Sequence, residues 1–477
     1  MNFYVYDIAF LVLFFLVAGI FLYINKKNLK FEKPLLIYRT KIGLKIIDYL
    51  SRRFRKQLKF LSYAVIGVGY MLMVAMIYLL IQIIYIYFKF PAIAKAVKIP
   101  PFMPLIPYIT EIFNVQEIFP PFYFTYWIGA IAIIAVFHEF AHGIFARYNK
   151  IRVKSTGFGF LGPFLAAFVE PDEKQMRKKS KFAQLSILSA GSFANIILTV
   201  LFILIMWGFF AVAFTPAGAS FDTYSYSLVN ISSIVSVDNK TAGNYADILD
   251  ISNDFNESKG YIEIAAYDEN YVISKNAIIK QLNATKSKDI SEIFLYHDAP
   301  AIRNNITGAI IEIDGIKIKN SRELGAALSG YFPGDNIRLK TEAEGKINEY
   351  NITLARNPGN ESRVFLGISV VNSGRGFLRG VDIFSFIKDK STYYKPKING
   401  LSIFIYNFLW WLIIINLGVA LFNMLPVGIF DGGQVFYLTI LGITKSEKIA
   451  KKAFSIITRI ILLMFILLII LWFFAFR

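Results

Sequence analysis

The stretch "VFHEFAHGIF" (136–145) places two of the chain's three histidines four residues apart in a segment otherwise suited to lipid. If the segment is helical, His138 and His142 share one face and can both reach a single metal ion. Glu139 stands one residue off that line and cannot easily be a third ligand to the same ion. Its natural part is to take a proton from water held at the metal. A charged side chain inside a membrane span costs about 2.5–3.5 kcal/mol, so three ionisable groups together imply a task that repays burial.

The rest of the chain supports a lipid setting. Of 477 residues, 56% are hydrophobic and only 18% are charged, with 46 Phe and 27 Tyr. Runs long enough to cross a bilayer, roughly 20 residues each, are expected at 4–24, 61–88, 122–146, 182–213, 400–422 and 456–476. The formal charge of +18 would suit a nucleic-acid binder, but the Lys and Arg residues cluster beside the apolar runs. That is where the positive-inside rule puts them, so the charge reads as topology and no nucleic-acid partner is expected.

The basic loops "RRFRKQLKF" (52–60), "MRKKSKF" (176–182) and "TKSEKIAKKAF" (444–454) then share the cytoplasmic side. The connections 89–121 and 214–398 are expected outside. The opening "MNFYVYD" carries no positive charge, whereas Lys26, Lys27 and Lys30 follow the first run. It is therefore expected to be a retained helix with its N-terminus outside. Seven N-x-S/T triplets, starting at Asn230, Asn239, Asn256, Asn283, Asn305, Asn351 and Asn360, all fall in the long external segment, as glycosylation acceptors would. There are no cysteines, which excludes a disulfide framework and a thiolate metal site.

The segment 222–395 reads as a soluble domain. "GAIIEIDGIKI" (308–318) alternates around the turn Asp314-Gly315. "NSRELGAALSG" (320–330) follows as a helix with Asn320 as N-cap, Glu323 three residues on and Gly330 near its stop. "FPGDNIRLKTEAEGKINEYNITL" (332–354) reads as a second hairpin. This order resembles a PDZ domain over about 297–356. The stretch 222–296 is polar and β-like and reads as an insertion or an added subdomain.

Zinc takes three protein ligands at a catalytic site and leaves a fourth position for water. "HGIFARYNK" holds no further histidine after His142. Glu170, 28 residues on in "FVEPDE", His297 in the external domain and Asp431 are the remaining candidates. Asp431 is the only charge in "FNMLPVGIFDGG" (422–433), where Pro426, Gly428 and Gly432-Gly433 mark broken helix. Broken backbone is tolerated at membrane depth only where protein or a polar cavity surrounds it. The competing reading of a lone aspartate there is a helix-end device next to the cytoplasmic loop.

Together these stretches resemble the site-2 protease family of intramembrane zinc metalloproteases, peptidase family M50. The family's H-E-x-x-H matches His138-Glu139-Phe140-Ala141-His142, and its N-x-x-P-x-x-x-x-D-G matches Asn423, Pro426, Asp431 and Gly432. The resemblance implies that His138, His142 and Asp431 hold one Zn2+ and that Glu139 is the general base. It implies that "GFGFLGPFLAAFVEPDE" (157–173) is a membrane-dipping hairpin able to offer an edge strand to an unwound substrate. It places Asn195, in "AGSFANIIL" (190–198), towards the site and gives Asn423 a role at the substrate or oxyanion.

The expected fold class is a polytopic α-helical membrane protein with an extracytoplasmic α+β PDZ-like domain inserted between the two halves of its catalytic core. The expected divisions are N-terminal helices with a basic cytoplasmic loop (1–121), the first half of the core (122–214), the external domain (222–395), and the second half of the core with the last helix (398–477). The expected partners are transmembrane protein substrates, the lipid bilayer and peptide C-termini at the PDZ-like domain. The active site is expected within the cell membrane, near its cytoplasmic side. Two other readings compete: a zinc transporter, which should show polar residues along several spans, and a catalytically silent PDZ-bearing scaffold, which would have no need of Glu139.

Overall fold

The computed structural model describes residues 3–32, 35–90, 100–116, 118–161, 164–256, 260–266, 269–285, 292–343, 345–369 and 387–476. Residues 91–99 and 117 of the expected connection 89–121, the hairpin tip 162–163, and residues 257–259, 267–268, 286–291, 344 and 370–386 of the expected external domain lie outside that set. The chain divides into two compact units, one built from Met1–Phe209 and Ile403–Arg477, the other from Phe210–Ser402.

The first unit is helical. Its long helices are α1 (Phe3–Ile24), α3 (Arg55–Lys89), α4 (Phe124–Tyr148), α5 (Lys181–Ala213), α6 (Asn399–Asn423) and α8 (Glu447–Phe476). Two shorter ones, α2 (Leu44–Arg53) and α7 (Asp431–Thr444), precede α3 and α8. Six described helices are long and apolar enough to cross a membrane. Their ends differ from the expected spans in one systematic way. Residues 55–60 and 447–454, expected as basic loops, are helical and prolong α3 and α8. Lys, Arg and Glu are good helix formers, and long charged side chains reach water from beyond an apolar run, so a span's helix outlasts its hydrophobicity.

Helix α4, which carries His138 and His142, is held at both ends by devices read only from its packing. Its N-cap residue Tyr123 gives no side-chain bond. Instead Asp7 of α1, fully buried, accepts from the backbone N–H of Phe124 at 2.7 Å and of Thr125 at 2.9 Å, and from Tyr108 Oη at 2.7 Å. The donors that a helix start leaves unpaired are therefore satisfied from another helix. At the other end Ile151 N bonds to Ala146 O and Lys150 N to Arg147 O, both at 2.9 Å, with Lys150 left-handed at φ +59°. This is a Schellman stop with lysine where glycine is usual.

A four-stranded antiparallel sheet, β1 (Leu29–Glu32), β2 (Leu35–Thr40), β3 (Val153–Leu161) and β4 (Phe164–Pro171), lies in that order in the same unit. The expected segment 157–173 forms β3 and β4, but β2 already pairs with β3 in the register Tyr38↔Phe158. Among the described residues the strand edge left open on that hairpin is β4.

The second unit is sheet-rich. One six-stranded sheet spans Tyr226–Asn230 to Glu292–His297 and packs helices Tyr245–Asp254 and Lys275–Thr285 around Ile248, Ile264, Ile278, Leu282 and Leu295. The unassigned stretch 222–296 is thus largely a sheet with its own core. A second sheet contains hairpin Asn336–Ala343/Lys346–Thr353, strand Ala309–Ile313, and the sequence-distant strands Phe214–Ala219 and Thr392–Pro396. It extends well beyond 297–356 because strands that flank the segment pair back onto it. Asn320 caps helix Ser321–Leu328, accepting from Glu323 N at 2.9 Å.

Candidate metal centre

His138 and His142 occupy successive turns of one face of α4, with ring centroids 4.8 Å apart and an interplanar angle of 76°. Asp431 is the first residue of α7. Its approach depends on the two glycines that follow it. A Cβ on Gly432 would strike the backbone of Met424 and Leu425, and one on Gly433 the backbone of Val427. Only side-chain-free residues let the start of α7 lie against the turn that ends α6.

That packing brings Asp431 Oδ2 to 3.2 Å from His142 Nε2 and 3.6 Å from His138 Nε2, while the two Nε2 atoms are 3.1 Å apart. The three side chains offer ligand atoms all within 4.8 Å of one another. Ligands about 2.0–2.1 Å from a tetrahedral zinc stand about 3.3 Å from each other, which is the spacing here. Glu170 is not in the group: its Oε2 accepts from Ser155 Oγ at 2.7 Å and Arg39 Nε at 3.2 Å. The Ser155 hydroxyl, followed by the Arg39 guanidinium, holds its carboxyl below the usual range against the opposing effect of burial. His297 belongs to the other unit.

The outer ring nitrogens test whether this set fits a cation. His142 Nδ1 lies 2.7 Å from the carbonyl oxygen of Ile187, an acceptor only, so Nδ1 carries the proton and Nε2 presents a lone pair. His138 Nδ1 lies 3.1 Å from the Asn195 amide, whose Oδ1 is buried without a partner. Turning that amide over lets Oδ1 accept the Nδ1 proton and frees His138 Nε2 as well. Two neutral imidazoles and a carboxylate then converge as acceptors, which repel one another unless a cation or proton stands between them. The donor set fits zinc.

Beside the group, Glu139 Oε2 accepts from Val169 N at 2.9 Å. Glu139, His138 and Asn423 line a cleft of about 200 Å³ whose other walls are apolar, among them Leu105, Ile131, Ile415 and Val419. Asn423 Nδ2 is 3.3 Å from His138 Nε2. Two residues that sequence reasoning did not single out also shape the site. A Cβ on Gly191 of α5 would fall on both histidine rings, and Asp7 fixes the far end of α4. Gly191 lies in the small-residue stretch 190–198, whose pattern suits general helix packing as well as a close approach to a site. Asp7 stands in an otherwise apolar run, where its charge was the available signal.

A helical membrane unit in which distant motifs bring two histidines and an aspartate together beside a glutamate has the chemistry of a membrane metallopeptidase. Residues 126–468 match peptidase family M50, and the chain belongs to this family, that of the site-2 proteases. The comparison with curated individual proteins gave no match.

Proposed function

We propose that the protein is a zinc endopeptidase that hydrolyses a peptide bond within a transmembrane segment of other membrane proteins. The observation that carries this reading is the convergence of His138, His142 and Asp431 to within 4.8 Å, with His138 and Glu139 lining one apolar cleft. A zinc ion held by those three supplies a Lewis acid for the scissile carbonyl and makes a water acidic enough to attack near neutral pH. Glu139 accepts the proton of the attacking water and delivers it to the leaving nitrogen. Asn195 fixes the His138 tautomer, and Asn423 donates an amide hydrogen towards the substrate carbonyl or oxyanion. The substrate segment, unwound from its helix, pairs with the open edge of β4.

In this reading the basic helix ends face the cytoplasm. His142 is five residues from Arg147, about 7–8 Å along the helix axis, so the site lies near the cytoplasmic side, where water is accessible. The N-terminus and the sheet-rich segment 222–395 are external. Residues 1–121 anchor, 122–214 and 398–477 form the two halves of the core, and the sheet built on hairpin Asn336–Ala343/Lys346–Thr353, with helix Ser321–Leu328, acts as a PDZ-like module. That module either filters substrates by size or holds the new C-terminus left by a prior external cut.

The test uses detergent-purified full-length protein. Expected are about one zinc per chain in the parent, a large loss in Asp431→Asn, and cleavage of a transmembrane substrate by the parent but not by Glu139→Gln. A parent without zinc even after reconstitution overturns the reading. Because the natural chain has no cysteine, single cysteines replacing Lys56 and Lys346 test the sidedness. Labelling of both from the same face of intact vesicles overturns it.

A further inference from the structure

Just beyond the candidate metal centre, the last turn of α4 and its Schellman stop form a wall of a cavity of about 500 Å³, completed by α2 and the start of α3. Five cations line it, Arg52, Arg55, Arg147, Lys150 and Arg152, against a single carboxylate, Asp48. Asp48 is committed: its Oδ1 is 2.7 Å from Arg147 Nε. Among the described residues none of the other four cations has a carboxylate partner. Four like charges around one cavity repel, and a bound anion relieves that repulsion. Lys150 adds an independent sign. It holds the left-handed position of the helix stop, which is strained for any residue but glycine. That strain places a cation at the cavity where glycine would be easier.

The depth of the cavity identifies the anion. On α3 the charges Arg55, Lys56 and Lys59 give way at Phe60 to a run without any Asp, Glu, Lys or Arg up to Phe88. On α4 the first basic residue after the apolar span is Arg147. Tyr49 of α2, and Phe60 and Tyr63 five and eight residues beyond Arg55 on α3, stand 63%, 77% and 67% exposed where the charges give way to the apolar run, as aromatic rings do at headgroup level. A second recess, lined by Lys45, Arg52 and Arg53 together with Asp48 and Tyr49, continues along α2. A soluble anion has no use for exposed aromatic rings beside its site, whereas a phospholipid lays its chains against them.

We infer that the cavity between α2 and the C-terminal end of α4 binds the phosphate headgroup of an anionic phospholipid. Through the Arg147–Asp48 pair such a lipid braces the end of the helix that carries His138 and His142. The inference rests on the membrane location of the chain and stands whether or not the protein cleaves peptides.

The experiment measures the unfolding midpoint of full-length protein in non-ionic detergent against added short-chain phosphatidylglycerol, short-chain phosphatidylcholine or inorganic phosphate. Phosphatidylglycerol is expected to raise the midpoint saturably, and the other two to leave it unchanged. Each lost cation should weaken the apparent affinity about fivefold, read in Arg55→Gln and in Lys150→Gly. The glycine variant relieves the left-handed residue, so a weaker response in it does not come from misfolding. No shift with phosphatidylglycerol, an equal shift with phosphatidylcholine, or an unchanged response in both variants overturns the inference. An equal shift with inorganic phosphate overturns it in favour of a soluble anion.

Discussion

Glu139 Oε2 accepts a hydrogen bond from the backbone nitrogen of Val169 at 2.9 Å, tying α4 to the open edge of β4. The proposed base and the proposed substrate-pairing strand are thereby in direct contact. An incoming strand that pairs with β4 takes over backbone groups on that edge, so substrate docking and release of the carboxylate are one event. Glu139→Gln keeps an acceptor for Val169 and removes only the basicity. Cleavage of a reconstituted transmembrane substrate is expected to fall about 10²–10⁴-fold with zinc content unchanged, and undiminished cleavage would exclude Glu139 as the base.

Asn195 touches no substrate in this arrangement and acts through His138, whose Nδ1 lies 3.1 Å from its amide. Loss of such an outer partner typically weakens metal binding about 10–100-fold. Asn195→Ala should show that loss in competition with a chelator while its unfolding midpoint before metal removal stays near the parent's. Equal chelator resistance in the two proteins would release Asn195 from this role.

The apolar runs were legible because length and hydropathy decide a membrane span, and the segments around Asp314-Gly315 and Asn320 because turn and cap chemistry is local. Strands β1 and β2 were not: Leu29–Glu32 is four residues long, too short for alternation to stand out, and its sheet is completed from residues more than a hundred positions away. Strands Phe214–Ala219 and Thr392–Pro396 pair across the whole second unit, a relation no local pattern carries. At the site, spacing alone ties His142 to His138. Asp431 was named from the N-x-x-P-x-x-x-x-D-G motif and not from spacing, because its approach to the histidines depends on how Gly432 and Gly433 let α7 pack, which is a tertiary fact. Asp7 shows the same limit, since its cap is supplied to a helix that starts 117 residues later.

Replacing Asp7 should loosen α1 from α4. An N-cap acceptor is worth about 0.5–2 kcal/mol, and leaving buried donors unpaired adds to the loss. Thermal unfolding in detergent is expected to rank the parent above Asp7→Asn, which keeps one acceptor, and Asp7→Asn above Asp7→Ala. An alanine variant as stable as the parent would end the assignment.

In the second unit, burial pushes the His297 imidazole below its ordinary value, with Glu269 opposing only in part. The folded state therefore binds fewer protons than the unfolded state around the unfolded value of about 6.5. Stability from this group is complete above that pH and is lost as pH falls below it. Protection of the described amides of residues 226–297 in the full chain, measured relative to the intrinsic exchange rate at each pH, should fall between pH 7.5 and 5.5, and His297→Gln should flatten that dependence. An identical pH response in the variant would assign it to other groups.

Gly191 and Gly208 sit on the same helix, α5, and offer a matched pair. Glycine inside a helix costs about 0.5–1 kcal/mol relative to alanine, so alanine at either position should favour the helix by itself. Nothing lies within 4 Å of a Cβ on Gly208, whereas one on Gly191 would meet His138 and both metal-facing nitrogens. Gly208→Ala is expected to retain full zinc and the parent's stability or slightly more. Gly191→Ala must either push both rings off their positions or fill the space between them, so zinc per chain should fall sharply while the protein still folds. If Gly191→Ala holds zinc as firmly as Gly208→Ala, the metal does not lie between the Nε2 atoms of His138 and His142, and the centre would have to be rebuilt around other donors.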